Sequence, residues 1–139
     1  MTILTLEKTV STQGFCSVVD ITALLEKELE KSGLQEGQLL VFTVGSTAAV
    51  STIEYEPNLV KDIEEAMERI APSNRIYHHA KTWHDDNGFS HVRSTMMKSN
   101  LTIPFKDGRF ILGTWQQVVV LDFDDNPRQR RVVLQFLGE

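Results

Sequence analysis

Four histidines, two aspartates, an asparagine and an arginine fall within Tyr77 to Arg93, YHHAKTWHDDNGFSHVR, and no histidine lies elsewhere in the chain. Imidazole and carboxylate groups bind divalent metals and move protons. A guanidinium beside them can grip phosphate oxygens. His79 and His91 are twelve positions apart, with Asp85, Asp86 and Asn87 between them. This mixture of nitrogen and oxygen donors suits a hard or borderline divalent ion. No regular element brings those atoms together at that spacing, so a loop must fold back, and Asn87-Gly88 is a dipeptide that turns readily. A solvated loop with incidental histidines is the competing reading. His78 and His84 rank lower: neighbouring side chains point apart on an extended chain, and His84 follows Trp83, a packing anchor.

Other residues are placed to assist. Arg93 and Ser94, just past His91, offer a cation and a hydroxyl to phosphate oxygens, or else an exposed salt bridge. Thr114 and Gln116 share a face if Gly113-Thr114-Trp115-Gln116 opens a strand, where they would orient a polar ligand or simply meet a neighbouring strand. Glu54 ends a strand-like run and could bring a carboxylate to a site at the sheet edge. Gly45-Ser46-Thr47 is small and hydroxyl-rich, but it lacks the lysine and the length of a nucleotide-binding P-loop. The Arg128, Arg130, Arg131 run reads as a solvated turn and strand edge.

The whole chain must position these groups. Its 139 residues suit one domain, 1–139, with one good core. A net charge of −5 argues against general nucleic-acid binding, which needs a basic surface. The single cysteine, Cys16, excludes an intramolecular disulfide and reads as a buried small hydrophobe in a strand-like run. No apolar stretch approaches the roughly 20 residues of a membrane span, and residues 1–13 carry no signal-like apolar block. A cytoplasmic protein with no membrane or nucleic-acid partner is expected.

Strands are predicted at 2–10, 14–20, 39–44, 48–54, 101–105, 109–112, 115–123 and 131–137. A helix runs from Thr22 to a stop at Gly33, another from Pro57 to Pro72, and a short one is allowed at 92–98. Asp107-Gly108 supplies the positive φ of a tight hairpin. The expected fold class is α+β: a largely antiparallel β-sheet in a two-layer, sandwich-like arrangement with two main helices. So much sheet leaves a face that a second sheet or an oligomer partner must cover.

Four stretches carry a resemblance: TVGSTAAVSTIEYEP, Y-x-H-x-x-x-W-x-D-D-N-G-x-x-H-x-R-S, L-T-I-P-F-x-D-G-R and L-G-T-W-Q-Q-V. Together they closely resemble the YjbQ-like family, also called secondary thiamine-phosphate synthases, from about Leu4 to Gly138. The resemblance implies a small α+β protein assembling as a homotrimer with sites near subunit boundaries. It implies an enzyme, a transferase joining a pyrimidine diphosphate to thiazole phosphate with release of pyrophosphate. Its site residues would be His79, Asp86, Asn87 and His91, with Thr114 and Gln116 opposite. Family members often carry Gly-Pro where this chain has Lys98-Ser99-Asn100, so that loop is its own.

Displacing pyrophosphate calls for Mg²⁺, which Asp86 and Glu54 would hold while Arg93 contacts phosphate. His79 and His91 suit Zn²⁺, Mn²⁺ or proton transfer better, since Mg²⁺ prefers oxygen. The alternatives are a metal-dependent hydrolase with both histidines as ligands, and a non-catalytic trimer binding a phosphorylated small molecule or a metal.

Overall fold

The computed structural model describes residues 1–139. Strand β1 (Thr2–Thr12) alternates in burial, sending Val10 and Thr12 inward, the period of a half-buried strand. After a bend come β2 (Ser17–Asp20) and helix α1 (Thr22–Ser32). The Asp20 carboxylate accepts from the Thr22 backbone N–H at 2.9 Å and its hydroxyl at 2.7 Å, turning the chain into the helix. Gly33 stops α1 in the left-handed conformation, φ 70°. Strands β3 (Glu36–Thr43) and β4 (Ala48–Ile53) follow. Pro57 then opens α2 (Pro57–Ile70), with the Glu56 carboxylate capping the N–H groups of Asn58 and Leu59. Two further helices, α3 (Ala80–Trp83) and α4 (Gly88–Met97), precede β5 (Asn100–Lys106), β6 (Arg109–Phe110), β7 (Gln117–Asp122) and β8 (Arg128–Gly138). No helix is long and apolar enough to cross a membrane.

The strands form two antiparallel sheets, β1-β8-β3-β5-β6 and β2-β7-β4. The larger core lies between them. Leu39, Val41, Ile103, Phe105, Leu134 and Phe136 of the five-stranded sheet meet Val50, Val118 and Val120 of the smaller one, and Leu25 and Leu29 of α1 close one side. Alternate residues of β7 face the other way, so that Val119, Leu121 and Phe123 pack with Ala49, Cys16 and Met67 of α2. This explains why Val118 to Phe123 is so uniformly apolar: the strand is the middle of a three-layer stack. Each such side chain contributes roughly 1.5–3 kcal/mol by leaving water.

The expected α+β fold, the antiparallel pairing and the covering second sheet are all present, and Asp107 and Gly108 take the positive φ of the hairpin. Several boundaries differ. Helix α4 starts at Gly88, which puts His91 on a helix. Strand β7 starts at Gln117, leaving Thr114 and Trp115 in a turn. Cys16 sits in a bend with φ 67° beside β2, where burial pushes its thiol up to about 11, the form least reactive as a nucleophile. Strand β8 begins at Arg128 because it pairs with β1 to the end, Thr12 opposite Arg128.

That longer strand buries Arg130, which corrects its reading as a solvated residue. Its guanidinium clasps Asp122 at 2.6 and 2.7 Å and reaches the Thr47 hydroxyl at 2.6 Å. Thr12 donates to the same carboxylate, and the Asp124 N–H meets it at 3.0 Å. Asp124 also takes Arg128 at 3.0 Å and the Thr47 hydroxyl at 3.0 Å. Burial alone would raise the Asp124 carboxyl, but the Asp125 N–H, Thr47 and Arg128 outweigh it and hold it down to about 2. Burial and the facing Asp124 push Asp125 the opposite way.

Lys98, which follows α4, has φ 70° and ψ 152°, a region that side-chain-bearing residues hardly enter. Two consequences are measurable. Asp124 titrates lower folded than unfolded, so its contribution is complete above about pH 4 and lost as pH falls towards 2, on the order of 2 kcal/mol. Urea midpoints between pH 5 and 2 should therefore fall more steeply for the wild type than for Asp124→Asn; parallel curves would contradict the assignment. Lys98→Gly should raise unfolding free energy by about 1 kcal/mol, after allowing for glycine's freedom in the unfolded chain. A lowered urea midpoint would show that the backbone there is not strained.

Candidate functional site

The histidine segment is held by packing around one glycine. The Tyr77 hydroxyl donates to the Pro72 carbonyl at 2.9 Å, fixing the ring at the end of the α2 exit. Gly88 lies so close that an added Cβ would stand 2.5 Å from Tyr77 Cβ and 3.3 Å from His79 Cβ. Only glycine lets α4 start there. Between them, α3 makes one turn and His84 reverses the chain in the left-handed conformation, φ 57°. The first turn of α4 thus returns to the start of α3, bringing the His79 and His91 rings to 4.5 Å between centroids, tilted by 37°. The expected fold-back occurs, though His84 makes the reversal and Asn87-Gly88 begins the helix.

His79 is further oriented by Asp85, whose carboxylate lies 2.8 Å from Nδ1. A carboxylate only accepts, so Nδ1 donates, and in the uncharged tautomer that carries this hydrogen the lone pair is on Nε2. The spacing did not single out Asp85, because Asp86 beside it matched equally well. Asp86 is exposed and lines a cleft of about 270 Å³ with Asp85, Arg75 and Tyr77. Asn87 donates at 3.5 Å to Asp124, which ties the segment to the buried network, while its Oδ1 is buried without a partner.

Arg93 and Ser94 are turned inward. Arg93 is 1 % exposed. It donates to the Ala71 carbonyl at 3.0 Å and to Glu68 at 2.6 Å, and it lies over the Phe89 and Phe123 rings at 4.9 and 5.9 Å. The Ser94 hydroxyl donates to the Ala48 carbonyl at 2.6 Å, and Ser90 donates to Phe123 O. These residues bolt α4 to the sheet and to α2, so the expectation that Arg93 and Ser94 grip phosphate is corrected.

Thr114 and Gln116 lie in and just after an exposed turn, not along a strand. Gln116 accepts from the Gly113 N–H at 3.0 Å and donates to Thr52 at 3.1 Å, at a groove lined by β4 and β5 residues rather than histidines. Glu54 is exposed at the end of β4. No three His, Cys, Asp or Glu side chains form a metal-sized group, so the expected set of His79, His91, Asp86 and Glu54 is not assembled within one chain. The pair that does meet is nitrogenous, a poor match for Mg²⁺. The Asp122–Arg130–Asp124 network went unanticipated. Its one trace in the sequence is two aspartates at the end of an otherwise apolar run.

The family pattern described as UPF0047 protein YjbQ-like matches residues 7–139. A UPF0047 protein of Archaeoglobus fulgidus is 34 % identical over 132 residues, covering 95 % of this chain and 100 % of its own. Another, from Methanothermobacter thermautotrophicus, is 34 % identical over 139 residues, covering 100 % and 95 %. The crystal structure of a YbjQ-like protein of unknown function from Sulfolobus solfataricus superposes with a TM-score of 0.93 at 30 % identity, covering 99 % of each chain. A hypothetical protein from Aeropyrum pernix gives 0.91 at 34 % identity, covering 98 % and 99 %. These relatives are UPF0047 proteins without an assigned activity, and the Sulfolobus protein is of unknown function. The thiamine-phosphate synthase expectation is therefore overturned: kinship brings this chain neither that activity nor a catalytic role. With matching length, pattern and fold, the chain belongs to the YjbQ-like UPF0047 family.

Proposed function

We propose that the chain binds a borderline divalent cation, zinc or manganese, through His79 and His91, and that the cation keeps positions open for a small oxygen-bearing ligand. The observation that carries this reading is the ring pair 4.5 Å apart, one member of which already gives its Nδ1 hydrogen to Asp85. Metal-bound histidines habitually donate their other ring N–H to a carboxylate, which fixes the ring and raises its basicity. Here that outer partner is in place and Nε2 is free. A bound ion would polarise the oxygen of whatever ligand it accepts. Two imidazoles do not complete a tetrahedral shell. A small ligand, or a second copy of the chain in the homotrimer that the resemblance implies, supplies the rest. The indoles of Trp83 and Trp115, 70 % and 73 % exposed, offer apolar area to such a copy.

Zinc titrated calorimetrically into chelator-treated protein tests the reading. The wild type should bind zinc and gain thermal stability as zinc rises. Asp85→Asn should weaken binding by about 10–100-fold, and His79→Ala and His91→Ala by more. Zinc affinity untouched by all three changes would sink the proposal.

A further inference from the structure

Two sequence features play no part at the histidines: the Gly45-Ser46-Thr47 turn and the Lys98-Ser99-Asn100 loop. The fold brings them together. Gly45, Ser46, Thr95, Lys98, Ser99 and Asn100 line one open pocket of about 440 Å³ that has neither an apolar nor a carboxylate side chain in its lining. We propose that this pocket is a second binding subsite, one that takes the phosphoryl group of a small phosphomonoester with Lys98 as its cation.

Three observations converge on an anion. Lys98 is in none of the chain's ion pairs, and its backbone is held in a conformation proper to glycine, φ 70° and ψ 152°. Non-glycine residues persist in such regions chiefly at ligand clamps and active sites. Next, two of the local acceptors are used inside: the Lys98 carbonyl accepts from Val50 N–H at 3.1 Å and the Ser99 carbonyl from Thr43 N–H at 2.9 Å. The N–H groups of Gly45, Ser46 and Ser99 find no acceptor in the chain. Three backbone donors in the pocket lining are thus left for a ligand. Last, Gly45 has φ 126°, and a Cβ there would stand 3.1 Å from Arg130 Nη1, so the missing side chain keeps open a short path to a second guanidinium.

The carbonyl end of α4 opposes an anion here, but with about half a charge, against the full charge of the Lys98 ammonium. The pocket shares no residue with the histidine pair, and Lys98 lies roughly 10 Å further along the helix than His91. The subsite stands or falls apart from the metal reading.

Phosphorus NMR or calorimetric titration of chelator-treated full-length protein decides it, with inorganic phosphate and glycerol phosphate as probes. Both should bind the wild type, glycerol phosphate at least as tightly. Lys98→Gln should weaken binding by about tenfold or more, Lys98→Arg should largely retain it, and Lys106→Gln, a lysine remote from the pocket, should leave it unchanged. No binding to the wild type would overturn the proposal. So would equal losses from Lys98→Gln and Lys106→Gln, which mark mere surface attraction. Binding of inorganic phosphate alone, with the ester excluded, would overturn the ligand class.

Discussion

The ion pair of Arg130 with Asp122 is the interaction on which the rest of the architecture rests, because each partner comes from a different sheet. Asp122 ends β7 of the small sheet and Arg130 lies in β8 of the large one, with Asp122 fully buried and Arg130 nearly so. Desolvating two charges costs several kcal/mol each, and their attraction repays it only when the remaining donors and acceptors are also satisfied. Here the carboxylate is satisfied by Thr12 and the Asp124 N–H, and Thr47 takes a further guanidinium N–H, while Nη1 lies beside the Gly45 turn. Such a pair adds little net stability over an apolar core of the same volume. It does penalise every other register, since a slip of one residue would send Arg130 to the outer face and strand Asp122 unpaired. It fixes how the two sheets meet.

From that junction the constraint passes outward. Asp124, two residues on, receives Asn87, and Phe123 between them accepts from Ser90. The first turn of α4 is therefore tied to the end of β7, and Ser94 and Arg93 bind its middle to β4 and to the end of α2. A helix of ten residues would be marginal alone. Anchored at four successive points, it becomes a rigid beam. One end presents His91 to His79, the other presents Lys98 to the Gly45 turn. Both candidate sites inherit their geometry from the same buried polar contacts.

How much of this was legible in the sequence depends on how local the cause was. The α+β class, the caps at Pro57 and Gly33 and the Asp107-Gly108 hairpin follow from side-chain period and backbone preference, which act within a few residues. The meeting of His79 and His91 was legible only as a need for a reversal. What holds it once His84 has turned the chain, the contact of Gly88 with Tyr77, is steric and tertiary. Arg130 and the strand around it were misjudged for the same reason. A run of arginines after a turn looks solvated until β1, pairing along its full length, draws the strand inward.

Arg93 and Lys98 show how far residue type falls short of role. Each cation follows His91 on or just beyond one helix, and by chemistry alone arginine is the better phosphate ligand. Arg93 falls on the face of α4 that meets the sheet, where Glu68, the Ala71 carbonyl and two aromatic faces use its charge. Lys98 closes the helix, its N–H donating to the Ser94 carbonyl at 2.9 Å, and there the chain turns away and no carboxylate answers its ammonium. Half of the chain's fourteen lysines and arginines sit in ion pairs, and Lys98 is among the half that do not. What sets Lys98 apart from the other unpaired cations is a backbone that glycine would occupy more comfortably, φ 70° and ψ 152°, and there selection for stability alone gives the poorest account of the residue present.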